Sequence, residues 1–582
     1  MPSSRPLTFT SQAAPLRSRS RLAVDATVLV AVAVVFWILI VLSHGVGAPF
    51  DRASAPSSVS TDPAQLPYFA ARSLLRMFAA LAVSVAFTFA YATLAARSRR
   101  AERILLPVLD VLQSVPVLAF LSVTVTMWLA LFPGSQLGVE CASVFAIFTS
   151  QAWNLTFAFY QSLVTQPAEL DEAARLLRLT RWQRFWKLDV PHGMIPLVWN
   201  GMMSFGGGWF FLVASEAISV NGDVYALPGI GSYVAAASRA GEIGHLLLAV
   251  GVMVAMVVGV NLLFWRPLTA WAERFRTGDT SAAEVQTSVV LGVLRRSAIP
   301  GLALRALRPV ARGLDAAMRP FGVADRPLHV DPRRRRGGDV ALLVLVVALI
   351  AWGMTAMLGY VDARAGIGEF GVAAGLGVIT FGRVLVLLVV GTIVWVPVGV
   401  WIGLSPKVTR IAQPIVQVLA SFPANFLFPF ATLALISTGV SLDWGGILLM
   451  SLGAQWYILF NVIAGASAIP ADLREVAASL RLSRVRRWRA LYGPAVFGAW
   501  VTGGITAAGG AWNASIVSEV VGYGDTTLHA TGLGAYIADS TASGDFARTL
   551  VGVTVMSVFV VGLNRLVWRR LHAYAETRFS LS

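Results

Sequence analysis

Residues 167–178 read Pro-Ala-Glu-Leu-Asp-Glu-Ala-Ala-Arg-Leu-Leu-Arg, and residues 470–481 read Pro-Ala-Asp-Leu-Arg-Glu-Val-Ala-Ala-Ser-Leu-Arg. Proline suits the first turn of a helix, where its missing N–H is not needed. Glu169, Asp171 and Glu172 then lie at the positive end of the helix dipole, and Arg178 and Arg181 at the negative end. Leu170, Ala174 and Leu177 share one face, as do Leu473, Ala477 and Leu480. Such a segment performs no covalent chemistry. The small ridges Ala173-Ala174 and Ala477-Ala478, flanked by Glu172 and Arg178 or by Glu475 and Arg481, suit a groove on a partner protein. An amphipathic connector lying on a membrane is the other reading. Two copies in matching register favour docking, because duplicated sites imply duplicated partners.

A second set of polar residues interrupts long apolar runs. Gln151, Asn154, Asn200, Gln455, Asn461 and Asn513 would each face a translocation cavity or form helix–helix hydrogen bonds worth about 0.6 kcal/mol. Glu216 and Glu519 sit in matching positions near the outer ends of their helices. They would not bind an anion directly, but could hold an outer loop as a gate by accepting backbone or arginine hydrogen bonds. Arg76 and Arg383 lie near outer helix ends, where they could meet an anion; snorkelling to the headgroups is the expectation. Gly206–Gly208, Gly503, Gly504, Gly509 and Gly510 suit close helix packing. The six histidines show no metal-ligand spacing, and the single Cys141 excludes a disulfide framework. The only lysines, Lys187 and Lys407, belong to no phosphate-binding loop. No enzyme, bound cofactor or metal is expected.

The elements that must carry these residues follow from composition. Of 582 residues, 56 % are hydrophobic and 13 % charged, too few charges to cover a soluble core of this size. The net charge of +16 falls in short blocks between apolar runs, the pattern of a membrane protein and not of a nucleic-acid binder. Twelve stretches, starting near residues 22, 67, 105, 141, 195, 243, 340, 376, 411, 446, 496 and 544, approach the roughly 20 residues of a spanning helix. Basic clusters at 97–103, 175–187 and 474–489 mark the cytoplasmic side and put both termini there. The opposite loops carry Arg52, Arg239 and Arg364 among an excess of acidic residues. Residues 267–339, with net charge +6, read as a cytosolic linker whose Arg333–Arg336 anchor the next helix at the lipid headgroups.

The chain is also a duplication. At an offset of 303, Pro167 pairs with Pro470, Glu172 with Glu475, Trp209 with Trp512, Glu216 with Glu519 and Trp265 with Trp568; upstream, at 307, Arg76 pairs with Arg383. Six helices per half make parallel repeats, with a substrate path expected between them.

On these residues the chain resembles the permeases of ABC importers. The Glu-Ala-Ala segments followed by basic residues and Pro191 or Pro494 look like that family's coupling loop. Arg383-Val-Leu, Val396-Pro-Val-Gly-Val-Trp-Ile-Gly403, Ser421-Phe-Pro423 and Ser518-Glu519-Val-Val-Gly522 resemble the nitrate/sulfonate/bicarbonate branch in its fused form. The family's glycine after the coupling helix is replaced by Arg178 and Arg481, so the helix is expected to end without the usual glycine turn. The resemblance implies an all-α integral membrane protein of about twelve transmembrane helices, in two parallel six-helix repeats of the type I ABC importer permease fold. Permease domains would occupy 68–267 and 375–570, with helices at 22–43 and 340–359, a linker at 268–339, and cytoplasmic ends at 1–21 and 571–582. It further implies two ATPase subunits, which would hold ATP and magnesium, and an extracytoplasmic solute-binding protein in a bacterial inner membrane. Direct delivery by that protein would offset the repulsion of an anion by the acidic outer loops. An ion-coupled carrier with six-plus-six parallel repeats is the alternative, and a scaffold or sensor a third reading.

Overall fold

The computed structural model describes residues 19–43, 58–114, 117–220, 223–275, 288–319 and 332–579. The first half begins with α1 (Arg19–Ser43), α2 (Leu66–Arg97), α3 (Arg99–Ser114), α4 (Leu121–Leu131), α5 (Leu137–Val164) and α6 (Ala168–Leu176). It continues through α7 (Met194–Glu216), the hairpin β1 (Ala217–Val220) and β2 (Asp223–Ala226), α8 (Ile230–Arg239) and α9 (Ile243–Val260). Between the halves lie α10 (Val289–Arg296), α11 (Ile299–Ala317) and α12 (Pro332–Arg364). The second half opens with α13 (Glu369–Gly403), α14 (Pro406–Ser421), α15 (Phe428–Thr438), α16 (Leu442–Ser467) and α17 (Ala471–Ser479). Then come α18 (Gly493–Ser518), β3 (Val520–Tyr523), β4 (Thr526–His529), α19 (Leu533–Ala542) and α20 (Phe546–Leu563).

The protein has an all-α membrane fold with two small antiparallel hairpins that periodicity did not reveal. Turn residues could have flagged them: Asn221-Gly222 and Gly524-Asp525 stand between strand-forming runs. Among the described residues seven helices pass for membrane spans by length and hydropathy, or eight with the bent pair α14–α15, against about twelve expected. α5 and α18, at 28 and 26 residues, have spanning length, but Gln, Asn, Ser, Thr and Gly dilute their apolar runs. The stretch starting near 411 is two helices bent by 82°. Phe422 is extended there (φ −74°, ψ 128°), the conformation that a following proline imposes. α3 and α4 are likewise separate helices.

These broken segments join the halves. Val117, Leu118, Leu121 and Val125 sit within the core of the second half, and Phe426 within that of the first. Val117 N donates to Asn513 Oδ1 at 3.1 Å, and Asn425 Nδ2 to the Phe210 carbonyl at 3.3 Å. Phe210 and Asn513 are equivalent positions of the repeat, and Asn425 lies one residue past the equivalent of Val117, so the two crossings fall at closely matching places. On the outer side, Gly524 N donates to the Ser238 carbonyl at 2.9 Å and the Tyr523 hydroxyl to the Gly241 carbonyl at 2.9 Å. The second hairpin thus rests on the end of α8.

The stretch expected as a solvated linker holds α10 and α11, and α12 starts at Pro332, ahead of the expected 340. Four π-helical segments occupy matching places, Phe185–Asp189 with Trp488–Tyr492 and Asn261–Trp265 with Asn564–Trp568. The last pair sets Trp265 and Trp568 over Gly201 and Gly504, where a Cβ would stand 3.3 Å and 2.5 Å from the indole Cη2. Gly504→Ala is therefore expected to lower unfolding stability in detergent by about 1–3 kcal/mol. Gly509→Ala, with nothing within 4 Å of its Cβ, should leave it unchanged or raise it by up to about 1 kcal/mol. Thermal unfolding of the two variants checks both.

Candidate functional site

Helix α7 ends on Glu216, which is fully buried. Its carboxylate accepts from Ser73 Oγ at 2.6 Å and Arg76 Nη1 at 2.7 Å, both on α2, and from Gly231 N at 2.7 Å. Ser73 Oγ in turn accepts Ile230 N at 3.0 Å, and Arg76 Nη1 also reaches the Pro228 carbonyl at 3.0 Å. The remaining fork of Arg76 binds Glu140 of α5 through Nε at 2.6 Å and Nη2 at 2.8 Å, and Arg72 pairs with the same carboxylate. One carboxylate thus ties α2, α7 and the first turn of α8. A Cβ on Gly229 would fall on that carboxylate, which requires glycine there.

The second half repeats the arrangement. Glu519 is fully buried and accepts Thr380 Oγ1 and Arg383 Nη1, each at 2.8 Å, and Ala535 N at 3.0 Å. Thr380 Oγ1 accepts Leu533 N at 2.9 Å, and Arg383 Nη2 reaches Asp443 Oδ1 at 2.6 Å. This half has one guanidinium for two carboxylates, and the surplus Asp443 is partly in solvent. Arg76 and Arg383 are 2 % and 6 % exposed and so do not snorkel. A paired carboxylate at their own depth satisfies the guanidinium without recourse to the headgroups. Arg72, Ser73, Glu140, Thr380 and Asp443 escaped the sequence reading. The repeat offsets carried their signal, since Glu140 pairs with Asp443 and Ser73 with Thr380. At the outer edge, burial and the bond to Glu369 push the Tyr536 hydroxyl above its usual range. The His245 ring holds the Glu242 carboxyl below its own.

The polar residues deeper in the helices do not gather. Gln151 is fully enclosed and makes no hydrogen bond, its amide lying 2.9 Å from where a Cβ on Gly208 would be. Asn154 is exposed and accepts from Gln113 Nε2 at 3.2 Å. Gln455 Oε1 accepts from Trp395 Nε1 at 3.0 Å, a helix–helix bond. Asn200 and Asn461 donate to carbonyls of their own helices, and Asn513 to its own helix as well as accepting Val117 N. A cavity of about 20 Å³ between the halves is lined by Met202, Gly206, Trp209, Gln417 and Ser421 among others, and by none of these six. It has room for about one water.

The paired motif forms α6 and α17. Pro167 and Pro470 occupy the N-cap positions, one residue ahead of the first turn expected for them. Ala174 and Ala477 are buried against the body, whereas Leu177 and Leu480 are 71 % and 66 % exposed. The predicted common face is therefore split, because the chain leaves the helix at these leucines. Glu172, Arg178, Glu475 and Arg481 are exposed, as is Ala478, with Ala173 half-buried.

Arg178 and Arg481 have φ of +45° and +46°, the only non-glycine positive values among the described residues. Arg178 N donates to Arg175 O and Leu179 N to Ala174 O; Arg481 N to Ala478 O and Leu482 N to Ala477 O. These paired bonds are the Schellman turn that glycine usually closes. The glycine-type turn is thus kept, contrary to expectation, with an arginine bearing a left-handed cost of about 1–2 kcal/mol. Thr180 and Ser483 then cap the next turn. Arg184 pairs with Asp171 of α6 and lies 3.7 Å from Asp189, which also binds Arg97 at the inner end of α2 at 2.7 Å. A chain of charges therefore links α6 to the helix that carries Arg76.

The family described as the inner membrane component of binding-protein-dependent transport systems matches residues 77–270 and again 395–579. The chain is similar to a nitrate import permease protein of Synechocystis, at 28 % identity over 36 % of this chain and 71 % of the relative. It is also similar to a bicarbonate transport system permease protein of Synechococcus elongatus, at 26 % identity over 32 % and 62 %. A glycine betaine/proline betaine transport system permease protein of Escherichia coli matches at 26 % over 25 % and 41 %.

Two outcomes follow from the geometry. Arg76→Met should lower stability by about 3–5 kcal/mol, because it leaves Glu216 buried without its cation. Adding Glu216→Gln should recover part of that loss in the same thermal unfolding assay. Arg178→Gly should relieve up to about 1 kcal/mol at the left-handed turn, whereas Arg178→Val should worsen it; amide hydrogen exchange across 174–180 reports both.

Proposed function

The chain belongs to the family of binding-protein-dependent transport system inner membrane components, and from that premise we propose that it is the membrane-spanning permease component of an ATP-driven importer for a small anion. The observation that carries this reading is the pair α6 and α17, which share sequence register, caps and an identical left-handed exit. Each would seat in one ATPase subunit, so two copies of that subunit, carrying ATP and magnesium, would bind one fused chain. Glu172 and Glu475, with Arg178 and Arg481, would supply the charged contacts. Closure of the ATPase pair would draw α6 and α17 together and switch access between the two sides. The Asp171–Arg184–Asp189–Arg97 chain gives the first half a rigid connection from α6 to α2.

Glu216 and Glu519 would serve as latches of the outer gate, since each ties the start of the helix behind a hairpin, α8 or α19, to the helix bearing its arginine. Gln151, Asn154, Gln455 and Asn513 remain the candidates for the path once the halves part. The substrate class follows the nitrate and bicarbonate permeases, and a solute-binding protein would deliver it to the acidic outer face. The distribution of basic loops favours a bacterial inner membrane with both termini in the cytoplasm.

Co-purification from the native membrane tests the reading, with wild type set against the double variant Glu172→Arg, Glu475→Arg. An ATPase retained by the first and lost from the second, with thermal unfolding unchanged, is the expected result. ATP-dependent uptake of nitrate or bicarbonate in vesicles should vanish with it. Absence of any ATPase together with uptake that follows the proton gradient would make the chain an ion-coupled carrier.

A further inference from the structure

Between the two halves, α11 presents a surface that neither the gate nor the coupling helices use. It has 19 residues, or about 28 Å at 1.5 Å per residue. At helical spacing Ile299, Ala303, Leu307, Val310 and Leu314 form one stripe, and Arg305, Arg308 and Arg312 lie on the opposite side. Leu307, Val310 and Leu314 are 43–59 % exposed, so the described chain does not cover the stripe.

Its anchorage sets its depth. Asp25, in the first turns of the apolar helix α1, accepts Ser297 Oγ at 2.8 Å and Ala298 N at 2.7 Å, the residues that open α11. Val28, Ala31 and Val32 of α1 share an apolar cleft with Val289, Val290 and Val293 of α10. α11 therefore departs from the level at which α1 enters the apolar layer. At its other end, Gln183 Nε2 meets Asp315 Oδ2 at 3.5 Å, beside the segment that follows α6. Arg295 and Arg296, at the end of α10, add to the three arginines of α11, whose one acidic residue is Asp315. A helix with an apolar stripe, a basic opposite face and a tether at headgroup level matches an anionic lipid surface.

We infer that α11 lies in the plane of the membrane surface, with its leucine stripe at the acyl–headgroup boundary and its arginines on anionic phospholipid headgroups. The assignment does not depend on an ATPase and goes beyond the transport reading.

The test uses the full chain with Cys141→Ser, carrying a nitroxide at Leu307→Cys or at Arg308→Cys. It is reconstituted in phosphatidylcholine vesicles with or without phosphatidylglycerol. With phosphatidylglycerol present, lipid-soluble oxygen should reach the label at 307 and a water-soluble nickel chelate the label at 308. Adding Arg312→Gln should shift the bound-to-free ratio of the helix about fivefold toward water, the effect of one surface arginine, and omitting phosphatidylglycerol should shift it further. Both labelled positions are exposed, and unchanged thermal unfolding verifies that the fold is intact. Equal access of the nickel chelate to both labels would overturn the inference. Protection of 307 that arises only on adding the ATPase subunit would also overturn it, by making the stripe a protein interface.

Discussion

A carboxylate without solvent exposure in an apolar body requires a matching cation and hydrogen bonds for its remaining lone pairs. Glu216 and Glu519 meet that requirement by drawing an arginine and a hydroxyl from α2 or α13, and a backbone N–H from the first turn of α8 or α19. Three parts of each half are thereby held to one point. The loop glycines Gly229 and Gly532 follow from the same need, since a side chain there would occupy the carboxylate. Burying such groups adds little net stability, but a missing member leaves an uncompensated charge. The arrangement therefore holds the three parts of each half in one relative placement.

The duplication is close in the backbone and looser in the side chains. Helix limits, π-helical segments and left-handed turns recur at the same offset, because they set the shape through which each half packs on the other. Charges vary where solvent tolerates variation. The outer network has two guanidiniums for two carboxylates in the first half and one for two in the second, with the extra Asp443 reaching water. Helices α6 and α17 differ similarly: α6 is paired through Asp171 with Arg184, while Arg474 of α17 reaches the Leu404 carbonyl at 3.3 Å. Both helices end in the same strained turn despite these differences. The turn is thus demanded by the path of the chain back into the membrane and not by the residue that occupies it.

Much of the protein was legible in its sequence because membranes impose severe local rules. Long apolar runs must be helices, since lipid offers no partner for backbone polar groups. The offset of 303 made the two halves evident, and the paired Pro-to-Arg segments placed α6 and α17 to within two residues. Matching glutamates at 216 and 519 drew notice for the same reason. What local pattern could not supply was partnership between distant residues. Arg76 looks like a snorkelling arginine until Glu140 and Glu216, 64 and 140 residues away, are brought beside it. Arg178 looks like the loss of a glycine turn until its neighbours' hydrogen bonds impose a positive φ. The segments around the α3–α4 and α14–α15 breaks find their partners in the opposite half, and the basic stretch after α9 becomes an amphipathic helix tied to α1. The sequence by itself determined which segments enter the membrane and that they do so twice, because hydropathy and repetition are properties of contiguous residues. Only the tertiary structure decided which charges meet, because a buried ion pair is defined by its surroundings and those come from several helices at once.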